Sequence, residues 1–110
     1  MPNQMLMDLS IAQLPHKLFH PYRILIMMAL ADDKQRFHTL KRALGISDGN
    51  LASHLRALEQ EGYVRADSYK EGRQLKTFYS STDEGITAFA EFRKQMLFTL
   101  GRKRIISPKP

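Results

Sequence analysis

The stretch Phe37-His38-Thr39-Leu40-Lys41-Arg42-Ala43-Leu44-Gly45-Ile46-Ser47-Asp48-Gly49-Asn50-Leu51-Ala52-Ser53-His54-Leu55-Arg56-Ala57-Leu58 decides the fold. Leu40 and Leu44 stand at i, i+4 and mark a short helix from Thr39 to Leu44, after Phe37. Gly45 follows where a helix end favours a left-handed residue. Ser47 suits an N-cap, since its hydroxyl can accept from an orphan backbone N–H. The helix it opens runs to about Gln60, and Gly62 stops it. Leu51, Leu55 and Leu58 form its buried stripe. The tight Gly45-Ile46-Ser47 link lets the two helices cross steeply, which makes a helix-turn-helix and pushes the second helix outward.

Winding that second helix at about 100° per residue tests what its outer face can do. Opposite the leucines fall Gly49, Asn50, Ser53, Arg56 and Ala57, all small or polar. A helix that reads DNA needs such a face. Short side chains let its axis sit deep in a major groove about 12 Å wide, and amides and hydroxyls reach base edges. Asp48 opens the helix, where its charge favours the positive end of the dipole and where it could accept from a cytosine amino group. His54 falls beside the core, as a wedge between helices that can also donate to a phosphate. Lys41 and Arg42, on the helix before the turn, are placed for backbone contacts.

Outward from this centre, a helix starts at Pro21, a residue suited to the first helical turn. It runs through Tyr22 to Leu30, apolar nearly all round, which predicts a place at the centre of the core. Asp32-Asp33-Lys34-Gln35 ends it. Beyond Gly62 the period changes. Tyr63–Tyr69 and Leu75–Ser80 read as two strands joined by a five-residue loop, Lys70-Glu71-Gly72-Arg73-Gln74. Lys70, Arg73 and Lys76 make the hairpin tip basic, as phosphate or minor-groove contact requires. Ser81 and Glu84 fit a capping box, with Thr82 competing as the cap, ahead of a long helix from about Asp83 to Leu100.

Both ends point to self-association. Residues 1–17 are rich in apolar side chains, Leu6, Leu9, Ile11 and Leu14 among them, which predicts a dimer contact. On the long helix, Phe89, Met96 and Leu100 continue a heptad seam begun at Ile86 and interrupted by Arg93. Residues 82–101 are therefore read as a dimerisation helix and 102–110 as a basic tail, on either side of a DNA-binding unit over 18–81.

The chain has 110 residues, one domain's worth, and no Cys, which rules out disulfides, thiol nucleophiles and cysteine metal sites. Its 17 Lys+Arg against 11 Asp+Glu give a net charge of +6. Arg102, Lys103, Arg104 and Lys109 contribute four of those charges, so tail and fold share the excess. No apolar run approaches the roughly 18 residues of a membrane span, and the N-terminus has no signal-peptide pattern, so the expected location is cytoplasmic. An enzyme is not expected: there is no Gly-rich phosphate loop, no His/Glu zinc pattern and no nucleophile with its base.

The motif Leu44-Gly-Ile-Ser-Asp-Gly-Asn-Leu51 with Ser53-His-Leu55, followed by Gly62-Tyr-Val, Lys76-Thr-Phe-Tyr79 and Thr82-x-x-Gly85, resembles the small winged-helix transcriptional regulators related to the MarR and ArsR groups. His20-Pro21-Tyr-Arg23-Ile-Leu resembles the opening of their first core helix, and the likeness covers roughly residues 18–92. It implies a mostly helical α+β fold, a winged helix-turn-helix with a long C-terminal dimerisation helix. It also implies a homodimer on operator DNA, with Ser47 to His54 in the groove and Lys70 to Lys76 as the wing. Ser81 departs from the family, which usually has an apolar residue there. The metal ligands of ArsR sensors have no counterpart: of the four His (His16, His20, His38, His54) only His16 and His20 stand at i, i+4, so neither metal nor cofactor is expected.

The function these readings support is a sequence-specific regulator that binds double-stranded DNA as a homodimer. A winged-helix module for protein partners would need an apolar outer face on the second helix. A general chromosome-coating protein would depend chiefly on the basic tail. A small-molecule effector is compatible with the reading, but no residue points to one.

Overall fold

The computed structural model describes residues 16–101; the apolar segment with Leu6, Leu9, Ile11 and Leu14, and the basic tail, lie outside the described residues. A 3-10 turn, His16–Leu18, leads into helix α1, Pro21–Asp32. Pro21 occupies the first helical turn, and His20 caps it by accepting from the Tyr22 N–H. Ile26, Met27 and Leu30 are buried, but Leu25 and Met28 on other sides of α1 are exposed, so the apolar surround predicted to be core all round is core on one side only within this chain.

A two-residue strand, β1 (Gln35–Arg36), precedes helix α2 (Phe37–Leu44), which starts two residues earlier than the sequence reading placed it. Gly45 terminates α2 with φ 65° and ψ 35°, and its N–H donates to the Lys41 carbonyl at 2.8 Å. A side chain at this backbone conformation would be strained, which is why glycine ends the helix here. Ile46 turns into the core, and Ser47 caps helix α3 (Asp48–Gln60) by accepting from the Asn50 N–H at 3.1 Å. Leu51, Leu55 and Leu58 are buried as the periodicity requires. Ala57 is buried too, a correction to its placement on the outer face: the buried arc of α3 is wider than the leucine stripe alone.

Gly62 reverses the chain at φ 80° into strand β2 (Val64–Glu71), which pairs antiparallel with β3 (Gln74–Ser81). The pairing continues to Glu71 opposite Gln74, leaving only Gly72 and Arg73 as the turn. The expected five-residue loop is thus corrected to two residues. Gly72 takes φ 66° while no non-glycine residue among those described has positive φ, the pattern of a type II′ hairpin turn. β1 pairs with the other side of β3, Gln35 opposite Tyr79 and Arg36 opposite Phe78, giving the sheet order β1-β3-β2.

Ser81 stays in β3, so Thr82, and not Ser81, is the cap of helix α4 (Asp83–Leu100). The Thr82 hydroxyl accepts from the Gly85 N–H at 2.9 Å and donates to the Gly62 carbonyl at 2.5 Å, tying the start of α4 to the end of α3. One core joins the four helices and β2, through Leu18, Ile26, Met27, Leu30, Leu40, Ile46, the α3 leucines, Val64 and Phe92, with Tyr79 of β3 packed against it. Phe92 is the anchor of α4, with Phe19 edge-on at 5.3 Å and Phe89 stacked at 6.3 Å. Among the described residues no helix is long and apolar enough to cross a membrane.

Candidate nucleic-acid interface

α3 is held by its buried leucines, so its remaining face is set by winding alone. Ser47, Asp48, Gly49, Asn50, Ser53 and Arg56 are all exposed. Ser47 spends its hydroxyl on the cap, whereas the side chains of Asn50, Ser53 and Arg56 make no hydrogen bond or ion pair among the described residues. They are the uncommitted donors and acceptors of this face. Asp48 is committed: its carboxylate pairs with Lys41 across the turn at 2.9 Å. Asp48 is well exposed and Lys41 partly so, and a pair this open to solvent contributes little to stability. Its effect is local, since it offsets one of the two cations read on α2 and removes the negative charge Asp48 would have turned toward a phosphate. The other cation, Arg42, lies 2.6 Å from His38 one turn earlier, and both are exposed.

His54 is half-buried on the flank of α3, where Nδ1 accepts from Arg23 Nε at 3.0 Å. It joins α3 to α1, the wedge expected from its place on the wheel. Burial, and then electrostatic interaction with the neighbouring His20 and with Arg23, hold its pKa below the ordinary histidine range.

The wing projects beyond the core as the β2–β3 hairpin. Lys70 and Arg73 are exposed at its tip. Lys76 is partly covered and pairs with Glu71; a hydrogen bond from Lys76, and then its charge, pull the Glu71 carboxyl below the usual range. Lys76 is thus a partly neutralised cation, unlike the other two. The outer face of the sheet holds residues the sequence reading missed. Lys34 sits over the rings of Phe78 and Tyr69, at 4.8 and 5.2 Å from their centroids, with Arg36 opposite Phe78 in the sheet register. Nothing local signals this, because β1 is too short to show a period.

Ile24, Met28, Phe89, Phe92, Arg93, Met96 and Leu97 line an apolar groove between α1 and α4. Of the four residues of α4 read as dimer contacts, Phe89 and Met96 are half-buried in this groove, Arg93 lies at its edge, and Leu100 is exposed beyond it. No group of three or more His, Asp or Glu side chains among the described residues is placed to hold a metal ion.

An outward helix with a small polar face, seated by a helix-turn and flanked by a basic two-stranded wing, defines a winged helix-turn-helix. Residues 22–98 match the family of the winged helix DNA-binding domain, and the chain belongs to that family. A relative from Methanocaldococcus jannaschii, a protein of uncharacterized function, is 34% identical over 61 residues, which are 56% of this chain and 66% of the relative. The chain therefore spans just under two thirds of that relative's length. A transcriptional regulator homologue from Pyrococcus horikoshii OT3 superposes with a TM-score of 0.78 at 28% identity, covering 86% of this chain and 94% of that one. A protein described as a transcriptional regulator of the MarR family, from Enterococcus faecalis V583, shares the fold at 23% identity, with a TM-score of 0.70 over 90% of this chain and 84% of its own.

Proposed function

We propose that this winged helix is a sequence-specific transcriptional regulator that acts in the cytoplasm as a homodimer on double-stranded DNA. α3 enters the major groove, with Asn50, Ser53 and Arg56 reading base edges and the Ser47-Asp48-Gly49 turn approaching the backbone. Arg42, and Lys41 when released from Asp48, contact flanking phosphates. Lys70, Arg73 and Lys76 of the wing reach the backbone or the minor groove. The observation that carries the reading is the uncommitted state of Asn50, Ser53 and Arg56 on an exposed face with no bulky apolar side chain. That face does not suit a protein-binding module, which needs apolar anchors.

The dimer rests on the α1–α4 groove. Met28 and Leu97, which line it, are exposed, as are Leu25, Ile86 and Leu100 elsewhere on α1 and α4, apolar surface of the kind a monomer rarely leaves open. Residues 82–101 and the segment 1–17 supply its two halves in this reading. A two-fold arrangement sets the α3 helices about 34 Å apart, one DNA turn, and calls for related half-sites.

Selecting bound duplexes from a random pool with the full chain tests this. Enrichment of a consensus with two related half-sites is the expected result. No enrichment, with equal retention of all duplexes, would point to a chromosome-coating protein, and no retention to a protein-binding module.

A further inference from the structure

The start of α1 and the flank of α3 meet in a polar cluster that the outer face of α3 does not account for. The Tyr22 N–H donates to His20 Nδ1 at 3.2 Å, and Arg23 Nε donates to His54 Nδ1 at 3.0 Å. Arg23 also donates through Nη1 to the Lys17 carbonyl at 3.2 Å. The two imidazole centroids stand 4.3 Å apart, with the Tyr22 ring 5.9 Å from one and 5.8 Å from the other.

These hydrogen bonds settle the tautomers. A neutral imidazole that accepts at Nδ1 carries its proton at Nε2. Both rings therefore present an Nε2–H, and neither has an acceptor among the described residues. Arg23 keeps Nη2 uncommitted, and no carboxylate among the described residues pairs with it, with Lys17 or with either histidine. The cluster is partly buried, carries positive charge and contains no anion. It offers two neighbouring N–H donors and a guanidinium to one that would supply the missing charge.

We propose that His20, Arg23 and His54 together hold one backbone phosphate of bound duplex DNA, the two Nε2–H groups donating to its oxygens and Arg23 supplying the counter-charge. The inference rests on the reading of α3 as the groove helix. His54 follows Ser53, so a groove-seated α3 brings a DNA strand along the flank where His54 meets α1. The contact carries no base information. It fixes the register of α3 by fastening two helices to one phosphate.

The test pairs isosteric variants with modified DNA. His54→Asn keeps an acceptor near the Nδ1 position for Arg23 and lacks the Nε2 donor, whereas His54→Gln restores an N–H near Nε2. Affinities are measured for two duplexes of unrelated sequence, and for a selected duplex bearing neutral methylphosphonates one position at a time. His54→Asn weakens both unrelated duplexes by the same factor, about tenfold for a hydrogen bond to a charged group, and His54→Gln recovers most of it. One methylphosphonate that weakens wild type leaves His54→Asn unaffected. His20→Asn, which keeps the cap acceptor for Tyr22, silences the same position and serves if His54→Asn does not fold. The proposal is overturned if every methylphosphonate acts on the variants as on wild type, or if millimolar inorganic phosphate moves the histidine Nε2 resonances as fully as the duplex does. Wild type that binds no duplex would instead defeat the regulator reading on which the proposal stands.

Discussion

Gly85, in the first turn of α4, lies so close over Tyr63 that a Cβ there would run into the Tyr63 carbonyl oxygen. The same oxygen accepts from the Thr82 N–H at 3.0 Å. The approach of α4 to the chain leaving α3 is therefore set by two features together, a cap hydroxyl and a missing side chain. The clash is with backbone, which cannot swing aside as a side chain can.

Gly85→Ala is accordingly expected to lower stability by about 1–3 kcal/mol, the usual cost of forcing an extra carbon into a packed site. Thermal unfolding followed by circular dichroism measures it. A melting temperature equal to wild type would mean that α4 shifts freely, and that Thr82 alone positions it.

Base reading and backbone binding should separate by mutation. Asn50 is exposed, and its side-chain amide is uncommitted. An Asn pairs with adenine through two hydrogen bonds worth about 1–3 kcal/mol of discrimination. Asn50→Ala should weaken the selected site by that much while leaving random duplex nearly unchanged, and Ser53→Ala should do so more mildly. Competition binding against random duplex reads the difference. If both variants discriminate as wild type does, base reading by α3 is wrong.

The wing cations should differ among themselves. Arg73 sits in the two-residue turn without an ion-pair partner among the described residues, whereas Lys76 is paired with Glu71. Arg73→Ala should weaken all duplexes and reduce the slope of log K against log salt by roughly 0.9, one phosphate's share. Lys76→Ala should weaken them too, less through a lost phosphate contact than through the Glu71 carboxylate it leaves unpaired to repel phosphate. Glu71→Gln should strengthen binding. A loss of affinity in Glu71→Gln would show that the Lys76 pair is needed to shape the wing.

The assembly prediction uses the described part of the groove. Met28 is 54% exposed and Leu97 66% exposed in the single chain, so neither is needed for the fold. Met28→Lys should leave the circular dichroism spectrum intact and convert dimer to monomer, since an ammonium buried in a groove lined by Arg93 and by no carboxylate costs several kcal/mol. Sedimentation of the wild type as a monomer at tens of micromolar would defeat the dimer itself.

What was legible in the sequence follows from how local each signal is. Gly45, Ser47 and Leu51-Leu55-Leu58 act within one or two helical turns, and the structure uses them as read. The turn of the wing was not legible, because Lys70, Glu71 and Gln74 are polar without alternation, and pairing up to Gln74 is set by the opposite strand. β1 has two residues and no pattern at all. In the candidate site, the outer face of α3 followed from winding. The links of Asp48 to Lys41 and of His54 to Arg23 did not, the second joining residues 31 apart in the chain. Such contacts exist only once the helices cross.

The Arg23–His54 link also sets a pH dependence. Burial, then electrostatic interaction with His20 and with the Arg23 guanidinium, depress the His54 pKa in the folded state below its ordinary value of 6.5. Near that value the unfolded chain therefore binds more protons at this site than the folded chain. Stability from this site is fully present above about pH 6.5 and is lost as pH falls from there through the folded pKa, where the protonated Nδ1 can no longer accept from Arg23. Among the described residues the groups facing His54 are His20, Tyr22 and Arg23 from the α1 end, with Lys17 behind Arg23, and none is a carboxylate that would reverse the sign. His54→Asn should keep the Arg23 contact and remove this dependence. Urea unfolding of both proteins between pH 5 and 8 should therefore give a stability difference that is constant above about pH 7 and shifts in favour of the variant as pH falls. A difference that stays constant across the whole range would mean that His54 titrates alike in the folded and unfolded chain. The burial at the α1–α3 joint would then not govern its protonation.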